Sequence, residues 1–172
     1  MRVTTNAPTA AISEAIALLS RAERPLIVAG SGVWWSDAGA ALQAFVEAAG
    51  IPFYTTPLSR GSIPEDHDLA FLFARARAFS EADVVLNVGT RFNYVIQFGR
   101  PPRWAADVKV IQVDVDPTEL GHNRPADVPI FGDARAVLSQ LMAEAKGKLD
   151  KGRYRTWVER LKSIDAEKGL ES

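Results

Sequence analysis

Two glycines follow the first apolar run of the chain, at a position where a nucleotide phosphate could bind. The run PLIVA (25–29) is typical of a strand covered on both faces, and Gly30-Ser31-Gly32 separates it from a helical stretch. Small residues at such a turn let backbone amides approach a phosphate. The dinucleotide fingerprint would also need a glycine at position 35, where Trp35 stands, so an ordinary nicotinamide site is rejected. A purely structural turn is the alternative.

Arg91 lies two residues beyond Gly89, which ends a second buried run, DVVLNVG (83–89). The planar guanidinium group of an arginine can hold a phosphate through two hydrogen bonds. The alternative role is that of a surface arginine paired with an Asp or Glu side chain. Residue type alone leaves both roles open.

Acidic residues follow two further strands. Asp114 and Asp116 are two positions apart, hence on one strand face, and a carboxylate at a strand end commonly accepts ribose hydroxyls. Either residue could instead cap the turn that Pro117 begins. Gly132-Asp133 closes the next strand, where the plain interpretation of Asp133 is a helix N-cap.

Strands and helices alternate along the chain and must position these residues. Periodicity and turn signals predict strands over 25–29, 51–56, 83–89, 108–116 and 128–133, and helices over 7–19, 38–49, 68–82 and 134–145. Ser36-Asp37 is predicted to cap the helix 38–49, and Gly50 to end it. The alternation predicts an α/β fold with an open, mostly parallel, doubly wound (Rossmann-like) sheet of five to six strands and helices on both faces. The strand ends would then meet around one groove.

Composition and charge narrow the classes of function. The chain has 172 residues, a net charge of −1 and no cysteine. An even charge balance predicts no nucleic-acid partner and no membrane surface, and no apolar run approaches the roughly 18 residues that span a bilayer. With no signal-peptide pattern at the N-terminus, a cytoplasmic protein is expected.

Several kinds of catalytic site find no support. His67 and His122 lie far apart and make no i, i+4 pair, so no metal site is predicted. The chain has neither a Gly-x-Ser-x-Gly elbow nor a Gly-x-x-x-x-Gly-Lys loop, and no catalytic residue is predicted. Trp34, Trp35 and Phe98 are expected to be packing groups rather than stacking platforms.

Three segments carry a family resemblance: RPLIVAGSG, ADVVLNVGTRFN and KVIQVDVDPTELGHNRPADVPIFGD. Together they resemble the middle domain of thiamine-diphosphate-dependent enzymes of the acetolactate synthase and decarboxylase superfamily. The resemblance covers residues 10–145. GTRFNYVIQFGRPPRW and VIQVDVDPTELGHN are most similar to the 2-hydroxyacyl-CoA lyase and oxalyl-CoA decarboxylase branch.

The resemblance implies an auxiliary nucleotide at the strand ends, FAD in acetolactate synthases and ADP in oxalyl-CoA decarboxylases, with the site empty in other members. The matching positions are Gly30, Ser31, Gly32, Gly89, Thr90, Arg91, Asp114, Val115, Gly132 and Asp133. Two positions depart from the family pattern. Asn93 stands where flavin members often carry an acidic residue, and Ser31 where acyl-CoA members often carry a lysine.

The resemblance also implies that thiamine diphosphate and Mg²⁺ are held by the first and third domains of a longer parent enzyme, which would be a homo-oligomer. The third-domain Gly-Asp-Gly signature is absent, since positions 132–134 are GDA. We therefore expect a central-domain fragment whose partners are the parent's other domains and a nucleotide. Residues 1–147 would form the nucleotide-binding-like domain, and the charged segment 148–172, with its helical apolar stripe, a linker towards the third domain.

Two other functions stay open on the sequence. The first is an architectural domain with an empty groove that supports oligomer assembly. The second is a sirtuin-like deacylase that uses NAD on a related sheet, although no catalytic histidine follows a suitable strand.

Overall fold

The five strands of the computed structural model, which describes residues 4–170, form one parallel sheet. They are β1 (Pro25–Ala29), β2 (Phe53–Thr55), β3 (Val84–Val88), β4 (Lys109–Asp114) and β5 (Val128–Phe131). Their order in the sheet is β2-β1-β3-β4-β5, and each of these neighbouring pairs is parallel. The direction of winding reverses between β1 and β3, the point at which open α/β sheets of this order bind ligands.

Helices cover both faces of the sheet. They are α1 (Thr9–Arg21), α2 (Ser31–Trp35), α3 (Gly39–Ala49), α4 (Arg75–Glu81), α5 (Ala134–Ala145) and α6 (Arg155–Leu170), with 3₁₀ turns at Pro57–Ser59 and Tyr94–Gly99. Buried residues of α1, α3 and α5 share one core with Ile27, Leu86 and Ile111. Residues of α4 and α6 share a second core with Leu26 and Val85. The predicted α/β, doubly wound architecture is confirmed, because alternate residues of each central strand enter opposite cores.

Two predicted helix starts are wrong. Ser36-Asp37 does not cap the helix after β1: α3 begins at Gly39, its N-cap position is Ala38, and no side chain caps it. The helix predicted over 68–82 is shortened to α4, because the backbone of residues 69–71 pairs with Phe53 at the sheet edge. An apolar sequence pattern does not show that the backbone of a segment will hydrogen-bond to an edge strand. Gly50 ends α3 in a left-handed conformation, as predicted.

The C-terminal segment packs on this domain. Trp157 is 3% exposed and Leu161 is fully buried in the second core. The Trp157 Nε1–H donates to the carbonyl of Pro25 at 2.9 Å, and the hydroxyl of Tyr154 donates to the carbonyl of Leu19 at 2.7 Å. The apolar side chains of this segment therefore pack against the sheet of the same domain. Its assignment as a linker to a further domain stays a prediction.

Within residues 4–170, no helix is both long and apolar enough to cross a membrane.

Candidate functional site

A groove of about 780 Å³ opens at the carboxyl ends of the strands. This size lies within the roughly 300–1,000 Å³ typical of small-molecule sites. Nine of the ten residues assigned to a nucleotide line it: Gly30, Ser31, Gly32, Gly89, Thr90, Arg91, Asp114, Val115 and Gly132. The turns after β1, β3, β4 and β5 thus meet at one place, as parallel strands require.

Asp133, the tenth residue, does not line the groove. Its carboxylate accepts hydrogen bonds from the backbone amides of Arg135 and Ala136, both at 3.1 Å, and so caps α5. This is the N-cap role that the sequence left open. Gly132, immediately before it, approaches Val137 so closely that an added Cβ would lie 2.7 Å from its methyl carbon.

The glycines at the ends of β1 and β3 allow two backbone turns to touch. A Cβ on Gly32 would lie 2.7 Å from the Cα of Gly89, and a Cβ on Gly30 would lie 2.5 Å from the carbonyl oxygen of Gly89. The amides of Gly30 and Gly32 donate to the carbonyls of Val88 and Gly89 at 2.9 and 3.0 Å. These two amides therefore bind neighbouring backbone, and the glycines shape the groove by close packing.

Arg91 lies at the edge of the groove with its side chain 65% exposed. Its Nε atom is 3.2 Å from a carboxylate oxygen of Glu119. The ion pair that the sequence left open is thus present in the structure. Because the guanidinium is exposed, this single contact contributes about 1 kcal/mol or less, and a ligand phosphate could compete with the carboxylate for Arg91.

Asp114 is 9% exposed at the end of β4, and its Oδ1 accepts a hydrogen bond from the amide of Asp116 at 2.9 Å. Burial raises the pKa of Asp114 above its ordinary value, and the nearby charges of Glu119 and Asp116 raise it further. Asp116 accepts from both the amide and the hydroxyl of Thr118 and so caps the turn. Both acids thus accept hydrogen bonds within the turn and both line the groove, but Asp114 is buried at the end of β4 whereas Asp116 lies further along the turn.

Replacement of Asp114 by Asn should change how stability depends on pH. Because the folded-state pKa is raised, the stabilising contribution of the proton is complete below the unfolded pKa and is lost as pH rises through the folded pKa. Asparagine carries no charge, so Asp114→Asn should unfold at a higher denaturant concentration than wild type near neutral pH. The difference should shrink as pH falls through the raised folded-state pKa of Asp114 towards the ordinary aspartate value of about 3.9. Urea unfolding of both proteins between about pH 4 and neutral pH measures this difference in stability. A difference that does not change with pH would contradict the argument that burial raises the pKa of Asp114.

Two buried amides that the sequence analysis did not consider hold the groove loops. Asn87 in β3 donates to the carbonyl of Thr90 at 2.8 Å. Gln112 in β4 donates to the carbonyl of Glu119 and accepts from the amide of Gly121, both at 2.8 Å. Both side chains are fully buried. The available signal was a polar residue inside an otherwise apolar strand, since most buried amide groups are hydrogen-bonded. The Oδ1 atom of Asn87 is an exception, because it accepts no hydrogen bond from the described residues.

Several large apolar side chains are exposed, contrary to expectation, and some of them line the groove. Trp34, Trp35 and Phe98 are 58%, 74% and 43% exposed, so they are not packing groups. Trp35 lines the groove, together with Tyr94 and Leu58, which are 79% and 75% exposed. Aromatic side chains favour burial in general, but α2 is a short helix of five residues that follows the carboxyl end of β1, and both of its tryptophans are exposed.

Among residues 4–170, no group of three or more His, Cys, Asp or Glu side chains is arranged to hold a metal ion.

The fold and the groove correspond to one known class of domain. The family model described as "Thiamine pyrophosphate enzyme, central domain" matches residues 12–141. The chain belongs to this family.

Among curated proteins, the chain is 40% identical to a 2-hydroxyacyl-CoA lyase of Arabidopsis thaliana over 92% of its length. It is 41% identical to an oxalyl-CoA decarboxylase of Escherichia coli (strain K12) over 78% of its length, and 34% identical to an acetolactate synthase large subunit of Corynebacterium glutamicum over 90%. It spans 28%, 24% and 26% of those three proteins.

A solved Mycobacterium smegmatis chain assigned to thiamin diphosphate-dependent enzymes has the same fold, with a TM-score of 0.72 at 22% identity. That match covers 88% of this chain and 30% of the solved one.

Proposed function

We propose that this chain is the central domain of a thiamine-diphosphate-dependent lyase or decarboxylase that acts on 2-hydroxyacyl or 2-oxoacyl substrates, including CoA thioesters, and that its groove binds a nucleotide such as ADP or FAD. The similarity to 2-hydroxyacyl-CoA lyase and oxalyl-CoA decarboxylase supports the enzyme class. Thiamine diphosphate would supply the carbanion-stabilising chemistry, held with Mg²⁺ by other domains of a homo-oligomeric parent. The role of this domain would be to bind the nucleotide, not to catalyse the reaction.

The observation that carries the nucleotide proposal is the meeting of three kinds of group around one groove. Arg91 offers an exposed cation to a phosphate, and Asp114 offers a carboxylate to ribose hydroxyls. Trp35 and Tyr94 offer aromatic surface to a base. A nucleotide presents phosphate, hydroxyls and an aromatic ring together, so it is the ligand that matches all three.

A second candidate is the architectural domain with an empty groove. It is favoured by the partners already present inside the chain: the amides of Gly30 and Gly32 bind backbone carbonyls, and Arg91 pairs with Glu119. In this case the groove would serve only contacts with other domains or subunits of the parent.

The Arg91→Ala substitution distinguishes the two. With ligand at about 100 times Kd, the wild-type domain should gain about 2.7 kcal/mol of stability, and Arg91→Ala should bind about 10–100-fold more weakly because a charged hydrogen bond is lost. Calorimetry and thermal unfolding with ADP, FAD and CoA measure this. Arg77→Ala is the matched control, because Arg77 is 60% exposed, pairs with Glu81 and does not line the groove. Indifference of the wild type to all three ligands would leave the architectural role.

A further inference from the structure

The exposed guanidinium of Arg91 needs neighbours to hold it at the groove. Its side chain is 65% exposed, and its ion pair with Glu119 is made through the Nε atom, 3.2 Å from the carboxylate. The terminal nitrogens of the guanidinium can therefore donate to a phosphate while this pair stays intact. Their position depends on the loops that carry Arg91 and Glu119.

The loop between β4 and β5 holds the chain beside Arg91 as well as its side chain. Besides Glu119, this loop contributes Asn123, whose Nδ2 donates to the carbonyl of Phe92, the residue after Arg91, at 2.9 Å. The guanidinium of Arg100 in turn donates to the carbonyl of Asn123 at 2.9 and 2.8 Å. A shift of the β4–β5 loop would therefore move Arg91.

The buried side chain of Gln112 ties this loop to the sheet. Gln112 lies in β4 and is fully buried. Its Nε2 donates to the carbonyl of Glu119 and its Oε1 accepts from the amide of Gly121, both at 2.8 Å. Both polar ends of the amide thus hold the turn that carries Glu119 and leads to Asn123. Gln112 does not line the groove, so it would not touch a ligand.

We propose that Gln112 is a positioning residue of the nucleotide site. Through the turn at 119–121 it places Glu119 and Asn123, and these hold Arg91 where its terminal nitrogens bind a phosphate. The inference rests on the proposed nucleotide site. Small displacements of a binding group weaken the contact it makes, so a residue that only supports Arg91 affects phosphate binding.

The test is calorimetric titration of ADP and of adenosine into wild type, Gln112→Met and Gln140→Met. Methionine has a similar length but no amide group. Gln112→Met should bind ADP about 5–10-fold more weakly and adenosine within about two-fold of wild type, because part of a charged hydrogen bond to phosphate is lost. Gln140→Met is the matched control, since Gln140 also donates to a carbonyl and accepts from an amide, those of Ala7, and does not line the groove. It should change neither affinity.

Amide hydrogen exchange tests the support of the loop without any ligand. The amide of Gly121 loses its acceptor in Gln112→Met, so it should exchange faster with solvent than in wild type or Gln140→Met.

A double variant shows whether Gln112 acts through Arg91. In the Arg91→Ala background, the loss of ADP affinity caused by Gln112→Met should fall below about two-fold, because residues that act through one contact are not additive. Thermal unfolding checks that each variant is folded. If Gln112→Met is not, Asn123→Gly cuts the same path at a less buried residue and should weaken ADP in the same direction. Asn123 has φ 63°, which glycine adopts without strain.

Each other outcome overturns a stated part of the proposal. Unchanged ADP affinity or unchanged Gly121 exchange in Gln112→Met would overturn the positioning role and leave the nucleotide site standing. Equal weakening of ADP in Gln140→Met would also overturn it, because a general loss of stability would be the cause. A wild type that binds neither ADP nor adenosine would remove the nucleotide site, and this inference with it.

Discussion

Gly30→Ala should destabilise the domain by about 3 kcal/mol, at the upper end of the cost of overpacking. The backbone of Gly30 has φ −120°, which alanine adopts freely, so the cost comes from contact alone. A Cβ there would lie 2.1 Å from the Oγ1 of Thr90 and 2.5 Å from the carbonyl oxygen of Gly89. Relief requires the turns after β1 and β3 to move apart, which also deforms the groove. The melting temperature should fall by about 6–12 °C, and nucleotide binding should be lost with it.

The matched control is Gly152→Ala. A Cβ at position 152 meets no atom closer than 3.5 Å, so this substitution should stay within about 0.5 kcal/mol of wild type. The double variant Gly30→Ala/Thr90→Ala should recover only part of the loss, because it removes the hydroxyl contact and leaves the backbone carbonyl of Gly89 in place. Equal stability of Gly30→Ala and Gly152→Ala would show that the two turns do not touch.

Trp157→Ala should have the largest effect on stability, about 3–5 kcal/mol, as expected for truncation of a buried tryptophan. The side chain is 3% exposed, packs in the second core and donates to the carbonyl of Pro25 at the start of β1. Its loss opens a cavity and leaves that carbonyl without its donor. Urea unfolding followed by circular dichroism measures the change in the free energy of unfolding.

Trp34→Ala is the control for this second substitution. Trp34 is 58% exposed on α2, so its removal should change stability by no more than about 0.5 kcal/mol. Trp157→Phe should give an intermediate loss, because the ring volume is largely kept while the hydrogen bond is not. Similar stabilities for Trp157→Ala and Trp34→Ala would mean that α6 is not part of this domain's core.

The candidate site could be predicted from the sequence as a set of strand ends, but its internal contacts could not. Gly30, Arg91 and Asp114 each follow a buried apolar run, which local periodicity reveals. The pairing of Arg91 with Glu119 depends on how the loops after β3 and β4 approach each other, which no local pattern encodes. The same holds for the glycine amides, whose acceptors lie on a neighbouring strand.

The amino-acid sequence by itself determined the α/β class, the five strands and the helical stripe of the C-terminal segment, because these depend on which side chains are apolar and on their spacing over a few residues. Only the tertiary structure decided that this stripe covers the sheet of this domain, that Trp35 faces the groove rather than a core, and that residues 69–71 pair with the edge strand. Each of these outcomes is a contact between segments distant in sequence, so it depends on strand order and register, which are properties of the folded chain as a whole.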